Sequence, residues 1–152
     1  MNESVKKMWD NFVKANTAHQ ALPMPEHYYF CDNKKDANEC AELVVKGIKQ
    51  ATAGSLWSYE QENEPLPKIG QLYIITDWNK QAKAIIELIK IEQIAFKNIT
   101  DKFAATEGEG DKSLAYWRKV HWDFFSREMQ AKGAQPTEDM IIVCEYFKTI
   151  YI

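Results

Sequence analysis

Lys49 and Thr52 stand three residues apart where a helical pattern gives way to a strand pattern, within VKGIKQATAGSLWSYE (Val45–Glu60). A threonine hydroxyl becomes a useful nucleophile when a neighbouring base takes its proton, and a neutral amine is such a base. An unperturbed lysine titrates near ~10.4, so a lysine in that role must be desolvated or set beside another cation. Activity is then expected to rise with pH until Lys49 loses its proton. Plainer roles are open to both residues. Lysine close to a helix C-terminus is favoured by the helix dipole, and threonine is a good strand residue.

Two further groups carry chemistry. Glu107 and Glu109 lie in EGEG, where a carboxylate beside glycines can approach a ligand closely or orient a lysine, or simply favour the following helix N-terminus. The segment DKSLAYWRKVHWDFFSREMQAK holds the chain's two arginines. At about 100° per residue Arg118 shares an arc with Trp122, Phe125 and Met129, whereas Arg127 points to the polar side. An arginine on an apolar face needs a carboxylate or phosphate partner, and Glu145 or Glu107 would serve as well as a ligand. Ser126 lies at the edge of that face and His121 nearby. Trp57, Tyr59, Trp117 and Trp122 are able to stack on bases or to build core. Cys31, Cys40 and Cys144 form no CxxC and no zinc-site spacing, so neither a metal nor a cofactor is expected. They read as reduced thiols of a cytoplasmic protein.

The elements that must position these residues follow the hydrophobic pattern. A chain of 152 residues is expected to form a single domain over 1–152. Its net charge of −3 excludes a histone-like polyanion binder, and no segment has the length or apolarity of a membrane span. Val5, Met8, Trp9, Phe12 and Val13 predict an amphipathic helix over 3–19, broken by Pro23 and Pro25. HYYFC (27–31) reads as a strand, 35–46 as a helix ended by Gly47, and 52–59 as a strand. Residues 61–70 form a loop, 72–76 a strand and 77–80 a hairpin turn. An isoleucine-rich strand over 83–94 is expected to bulge midway. A helical turn at 101–106 leads to the 107–110 loop. A helix over 111–132, capped by Asp111, and a strand over 140–151 close the chain. The order α, β, α, then mostly β predicts an α+β fold, a small barrel of mixed strands flanked by helices.

Gly47-Ile48-Lys49-Gln50-Ala51-Thr52 resembles the G-x-K-x-x-T signature of ASCH domains. A bacterial ASCH subfamily is similar also at Lys49–Glu60, PLPKIG (65–70), EGEGD (107–111), SLAYWR (113–118), His121-Trp122, FFSRE (124–128) and Asp139–Phe147. The resemblance implies a PUA-like β-barrel with helices around its mouth, and RNA or a modified nucleoside as partner. It further implies a metal-independent hydrolase acting on acylated cytidine nucleosides through Lys49, Thr52 and Glu107, with Glu109 as the alternative acid. Ribonuclease activity, with Lys49 and Ser126 as the residues of interest, and a non-catalytic RNA-binding module are the other readings the family suggests. A protein-interaction adaptor is a third. Ser55, Tyr59, Lys68, Glu109, Arg118, His121, Trp122 and Ser126 are the expected ligand contacts. Ala53-Gly54-Ser55 departs from members that carry an arginine or threonine after the signature threonine. Lys49, Thr52, Glu107 and Arg118 are expected to border one cleft.

Overall fold

The computed structural model describes residues 1–152 and is a mixed α+β domain. Helix α1 (Glu3–Ala15) starts at Asn2, whose side chain accepts the Val5 N–H, and buries Val5, Trp9 and Phe12. It stops at Ala15, short of the expected boundary, and a separate 3-10 turn spans Thr17–His19. Strand β1 is only His27–Tyr28. Helix α2 (Lys34–Val45) is capped by Asn33, which accepts the Asp36 N–H, and buries Ala37, Cys40, Ala41 and Val44.

Strand β2 (Ala51–Ser55) is shorter than the alternation suggests. Ser55 ends it, because its hydroxyl accepts the Ser58 N–H and caps helix α3 (Leu56–Gln61). Alternation alone carries no information about such a cap, and Trp57 and Tyr59 therefore lie on a helix. Strands β3 (Leu72–Thr76) and β4 (Ala82–Ala95) form the expected hairpin. Helix α4 (Asp101–Glu107) is followed by α5 (Leu114–Gln130). Ser113, not Asp111, caps α5 by accepting the Tyr116 N–H, while Asp111 accepts the Ser113 N–H. Strand β5 (Ile141–Tyr151) closes the chain.

The five strands lie in the order β1-β3-β4-β5-β2, with β1 parallel to β3 and every other pair antiparallel. β1 and β2 remain the two edges, so strand pairing does not close the sheet into a ring. β4 carries the midway irregularity expected of it, a register shift between Leu88 and Lys90 that leaves Ile89 half exposed. β4 gives Ile85 to one packing group and Ala84, Ile86 and Leu88 to another by alternation, and beyond the bulge Ile94 packs against a third. Val5, Trp9 and Phe12 of α1 pack with Ile74 and Ile85. Cys40 and Val44 of α2 pack with Phe30, Ile75, Ile86, Leu88 and Phe147. Phe103 of α4 and Trp117, Phe125 and Met129 of α5 pack with Phe96, Ile142 and Cys144. No helix is long and apolar enough to cross a membrane.

Candidate functional site

Lys49 leaves α2 through Gly47 and enters β2, with its backbone N–H donating to the Leu43 carbonyl. Its side chain points inward and is 1% exposed. A buried ammonium needs opposite charge. Lys49 Nζ lies 3.5 Å from Glu107 Oε2 and 3.0 Å from Glu109 Oε2. The Phe30 ring, 5.0 Å from Nζ, closes another side. Glu107 is the last residue of α4, and Glu109 sits in the loop beyond it. Gly108 at φ 76° and Gly110 at φ 58° bracket Glu109. A Cβ on Gly108 would meet the Ile48 carbonyl oxygen at 2.6 Å, and one on Gly110 would overlap the Tyr116 ring. Both positions have left-handed backbone, and at Gly108 the Ile48 backbone also excludes a side chain, whereas the exposed Tyr116 ring can swing away from Gly110.

His121 of α5 completes the cluster. Its Nδ1 is 2.9 Å from the Trp117 carbonyl, which only accepts, so Nδ1 carries the proton. That leaves Nε2 facing Glu107 Oε2 at 3.3 Å. Its ring stacks on Trp117, with centroids 4.1 Å apart. Glu107 is 1% exposed and neither of its oxygens has a hydrogen-bond partner of good geometry, so two cations balance its charge.

These contacts set the protonation states. Burial alone would lower the Lys49 ammonium, but Glu107 and Glu109 outweigh it and hold the group above its ordinary value. Burial would raise Glu107, yet Lys49 and then His121 hold it well below the usual carboxylate range. Glu109 is raised, first by burial and also by its neighbour Glu107. His121 is raised because the Glu107 charge outweighs burial. Lys49 is thus the firm cation of the quartet and Glu107 its firm carboxylate, flanked by His121 and Glu109, both of which lie above their ordinary values.

Thr52, Ala53, Arg127, Asp32 and Phe124 join the quartet around a cavity of about 70 Å³. Thr52, Ala53 and Phe124 also line a second, larger cleft of about 860 Å³. Thr52 therefore stands in the wall shared by a small charged cavity and a substrate-sized cleft. Ser55, Tyr59 and Lys68 line the large cleft with Tyr28, Tyr73, Glu128 and Glu145. Tyr59 Oη donates to Glu145 Oε2 at 3.3 Å, and Ser55 Oγ donates to Glu128 Oε1 at 3.3 Å. Burial pushes the Glu145 carboxyl up to about 7, against the Tyr59 hydrogen bond.

Three expected contacts lie elsewhere. Arg118 lines neither cavity. Its Nη2 donates to both oxygens of Glu138 at 2.9 Å, and its guanidinium lies 4.9 Å over the Phe96 ring. It thus has a carboxylate partner, but a surface one, and does not share the cleft with Lys49. Trp122 packs edge-on against Phe96 at 5.2 Å, and Ser126 lines neither cavity. Sequence reasoning favoured the flank of α5 that carries Arg118. From His121, Arg118 lies about 60° to one side, over the Phe96 packing, and Arg127 about 120° to the other. Val120, His121, Phe124 and Arg127 line the small cavity, with Arg127 paired to Asp32 at 2.8 Å. Taking His121 and Phe124 as the site edge would have found Arg127. Cys40 donates to Glu109 Oε1 at 3.1 Å, a contact that nothing in the spacing announces.

Ligand atoms of Glu107, Glu109 and His121 lie within 4.8 Å of one another, as do those of Cys31, Cys40 and Glu109. Either set is compact enough for one metal ion. Lys49 Nζ, however, already places a positive charge against both carboxylates.

A model of the ASCH domain matches residues 26–151. The chain belongs to the ASCH domain family. The ASCH domain of Lactobacillus crispatus JV V101 is 34% identical and superposes with a TM-score of 0.94, covering 100% of this chain and 97% of that one. Protein EF3133 of Enterococcus faecalis V583 is 35% identical at a TM-score of 0.90, covering 99% of this chain and 90% of its own. The hypothetical protein PH0355 shares the fold at 19% identity and a TM-score of 0.54, over 84% of this chain and 100% of that one. No curated protein matches this ASCH chain.

Proposed function

We propose that this ASCH domain is a cytoplasmic, metal-independent hydrolase that cleaves the amide of an acylated cytidine-type nucleoside. The observation that carries the reading is a buried lysine paired with two glutamates, behind a threonine that faces a substrate-sized cleft. A PUA-like barrel mouth, as the family resemblance implies, would form the rim of that cleft.

Lys49 rests as an ammonium and becomes a base by passing its proton across the 3.0 Å contact to Glu109. Glu109, raised by burial, is suited to receive it. The neutral amine takes the Thr52 proton as Oγ1 attacks the amide carbonyl. The tetrahedral centre collapses, the C–N bond breaks and the cytidine amine leaves with that proton. Water then hydrolyses the Thr52 ester, releasing carboxylate and restoring the hydroxyl. Glu107 and His121 hold the quartet's charge balance through these transfers.

The large cleft supports a nucleoside over long RNA. Glu26, Glu64, Glu128 and Glu145 line it against a single lysine, Lys68. Such a wall repels a phosphate backbone, which gains affinity from clustered cations. Tyr28, Tyr59, Tyr73 and Phe124 offer stacking faces. Glu145, titrating at about 7, both donates and accepts near neutrality and fits the edge of a pyrimidine.

The test is release of free carboxylate from acylated cytidine by wild type, Thr52→Ser and Thr52→Val. Turnover in the first two and its loss in Thr52→Val is expected. Equal rates in wild type and Thr52→Val would remove the nucleophile. Saturable binding of short single-stranded RNA that weakens with salt, with no turnover, would favour a non-catalytic RNA-binding module.

A further inference from the structure

Cys31 and Cys40 are nine positions apart in sequence, yet their sulfurs lie 3.7 Å apart. Cys31 follows the short first strand, is half-buried and lines the small cavity that holds Lys49. It adopts φ 69°, the left-handed region that a cysteine occupies only when its surroundings hold it there. Cys40 is 2% exposed on α2 and donates to Glu109 Oε1 at 3.1 Å. Glu109 Oε2 in turn accepts from Lys49 at 3.0 Å. An unbroken line of contacts therefore runs from a half-buried cysteine at the cavity to the buried ammonium.

We propose that Cys31 and Cys40 are a reversible dithiol, closed to a disulfide by a low-molecular-weight disulfide, and that closure switches the Lys49 site off by removing the thiol donor from Glu109. Cys31 lines the cavity and meets the oxidant first. Its thiolate attacks one sulfur of the oxidant, whose S–S bond breaks and releases one thiolate. Cys40 then attacks Cys31 Sγ, expelling the second thiolate. Glu109, at 3.1 Å, takes the Cys40 proton in that step and afterwards yields it to solvent or to the departing thiolate. Two protein thiols are oxidised and one small disulfide is reduced to two thiols. Cys40 is poorly ionised at rest, held up by its contact with Cys31 and then by burial, so the adjacent carboxylate supplies the base it needs. Cys144 is fully buried in a separate packing group and stays reduced. Only the effect on turnover rests on the hydrolase reading; the disulfide itself does not.

Reduced full-length protein is incubated with oxidised glutathione, denatured and counted for thiols, then mapped by mass. The three thiols should fall to one, with the Cys31 and Cys40 peptides joined and two hydrogens lost. Cys40→Ser should stop at a glutathione adduct on Cys31, and Cys31→Ser should keep both remaining thiols. An unchanged thiol count, or a persistent adduct on wild-type Cys31 beside a free Cys40, overturns the dithiol. His121 ring resonances should move on oxidation and return with dithiothreitol. Cleavage of acylated cytidine should fall about tenfold or more in step with them. A complete disulfide that leaves the His121 resonances unmoved overturns the coupling to the site, whether or not the protein turns over that substrate.

Discussion

Glu109 accepts the Lys49 ammonium at 3.0 Å from a loop pinned by left-handed glycines on either side. The loop brings a second carboxylate to a lysine that Glu107 already approaches at 3.5 Å. One lysine between a buried and a half-buried carboxylate is costly to assemble unless a further cation balances it, and His121, raised by Glu107, stands 3.3 Å from it to supply that charge.

Removing the lysine charge leaves Glu107 and Glu109 facing each other with only His121 beside them. Lys49→Met is expected to cost about 3–5 kcal/mol. Denaturant unfolding should show the loss as a lower midpoint with unchanged slope, and thermal unfolding as a fall of about 10 °C.

The ion pairs also overturn the simplest pH expectation. A free lysine base would give a rising limb near ~10.4. Glu107 and Glu109 hold Lys49 higher, so no such limb should appear there. Instead kcat/KM should fall on acidification through the raised value of Glu109, because a protonated Glu109 has no room for the Lys49 proton. A pH–rate profile on acylated cytidine checks the sign of that limb.

Glu145 offers a test independent of turnover. Its folded value, about 7, lies above an unfolded glutamate. Raised in the folded state, it favours folding below the unfolded value and withdraws that support as pH rises through about 7. Glu145→Gln should therefore match wild type near pH ~4 and exceed it by on the order of 2–3 kcal/mol near pH ~8. Urea unfolding at the two pH values measures the difference.

Much of this was legible in the sequence. Alternation and β-branching placed β3, β4 and β5; the isoleucines marked β4 as strand, and the length of its run pointed to the bulge. Gly47, Lys49 and Thr52 located the turn, and EGEG located the carboxylates that approach Lys49. Local pattern could not show that Ser55 would stop β2 by capping α3. Nor could it tell which flank of α5 would face the cavity, since both flanks carry aromatics and an arginine. Arg118 found Glu138 at the surface, whereas Arg127 borders the site. The Cys40–Glu109 contact depends on packing between α2 and the loop after α4, a long-range property with no local signature, and the Cys31–Cys40 contact on how the segment after β1 folds back onto α2.

The most direct measurement compares wild type with Lys49→Arg on acylated cytidine, with turnover and binding read separately. Arginine keeps the positive charge between the glutamates but does not give up its proton. Lys49→Arg should lose turnover by about 10³-fold or more while binding the nucleoside within about threefold. Equal turnover in wild type and Lys49→Arg, or none in wild type, would contradict a hydrolase driven by Lys49.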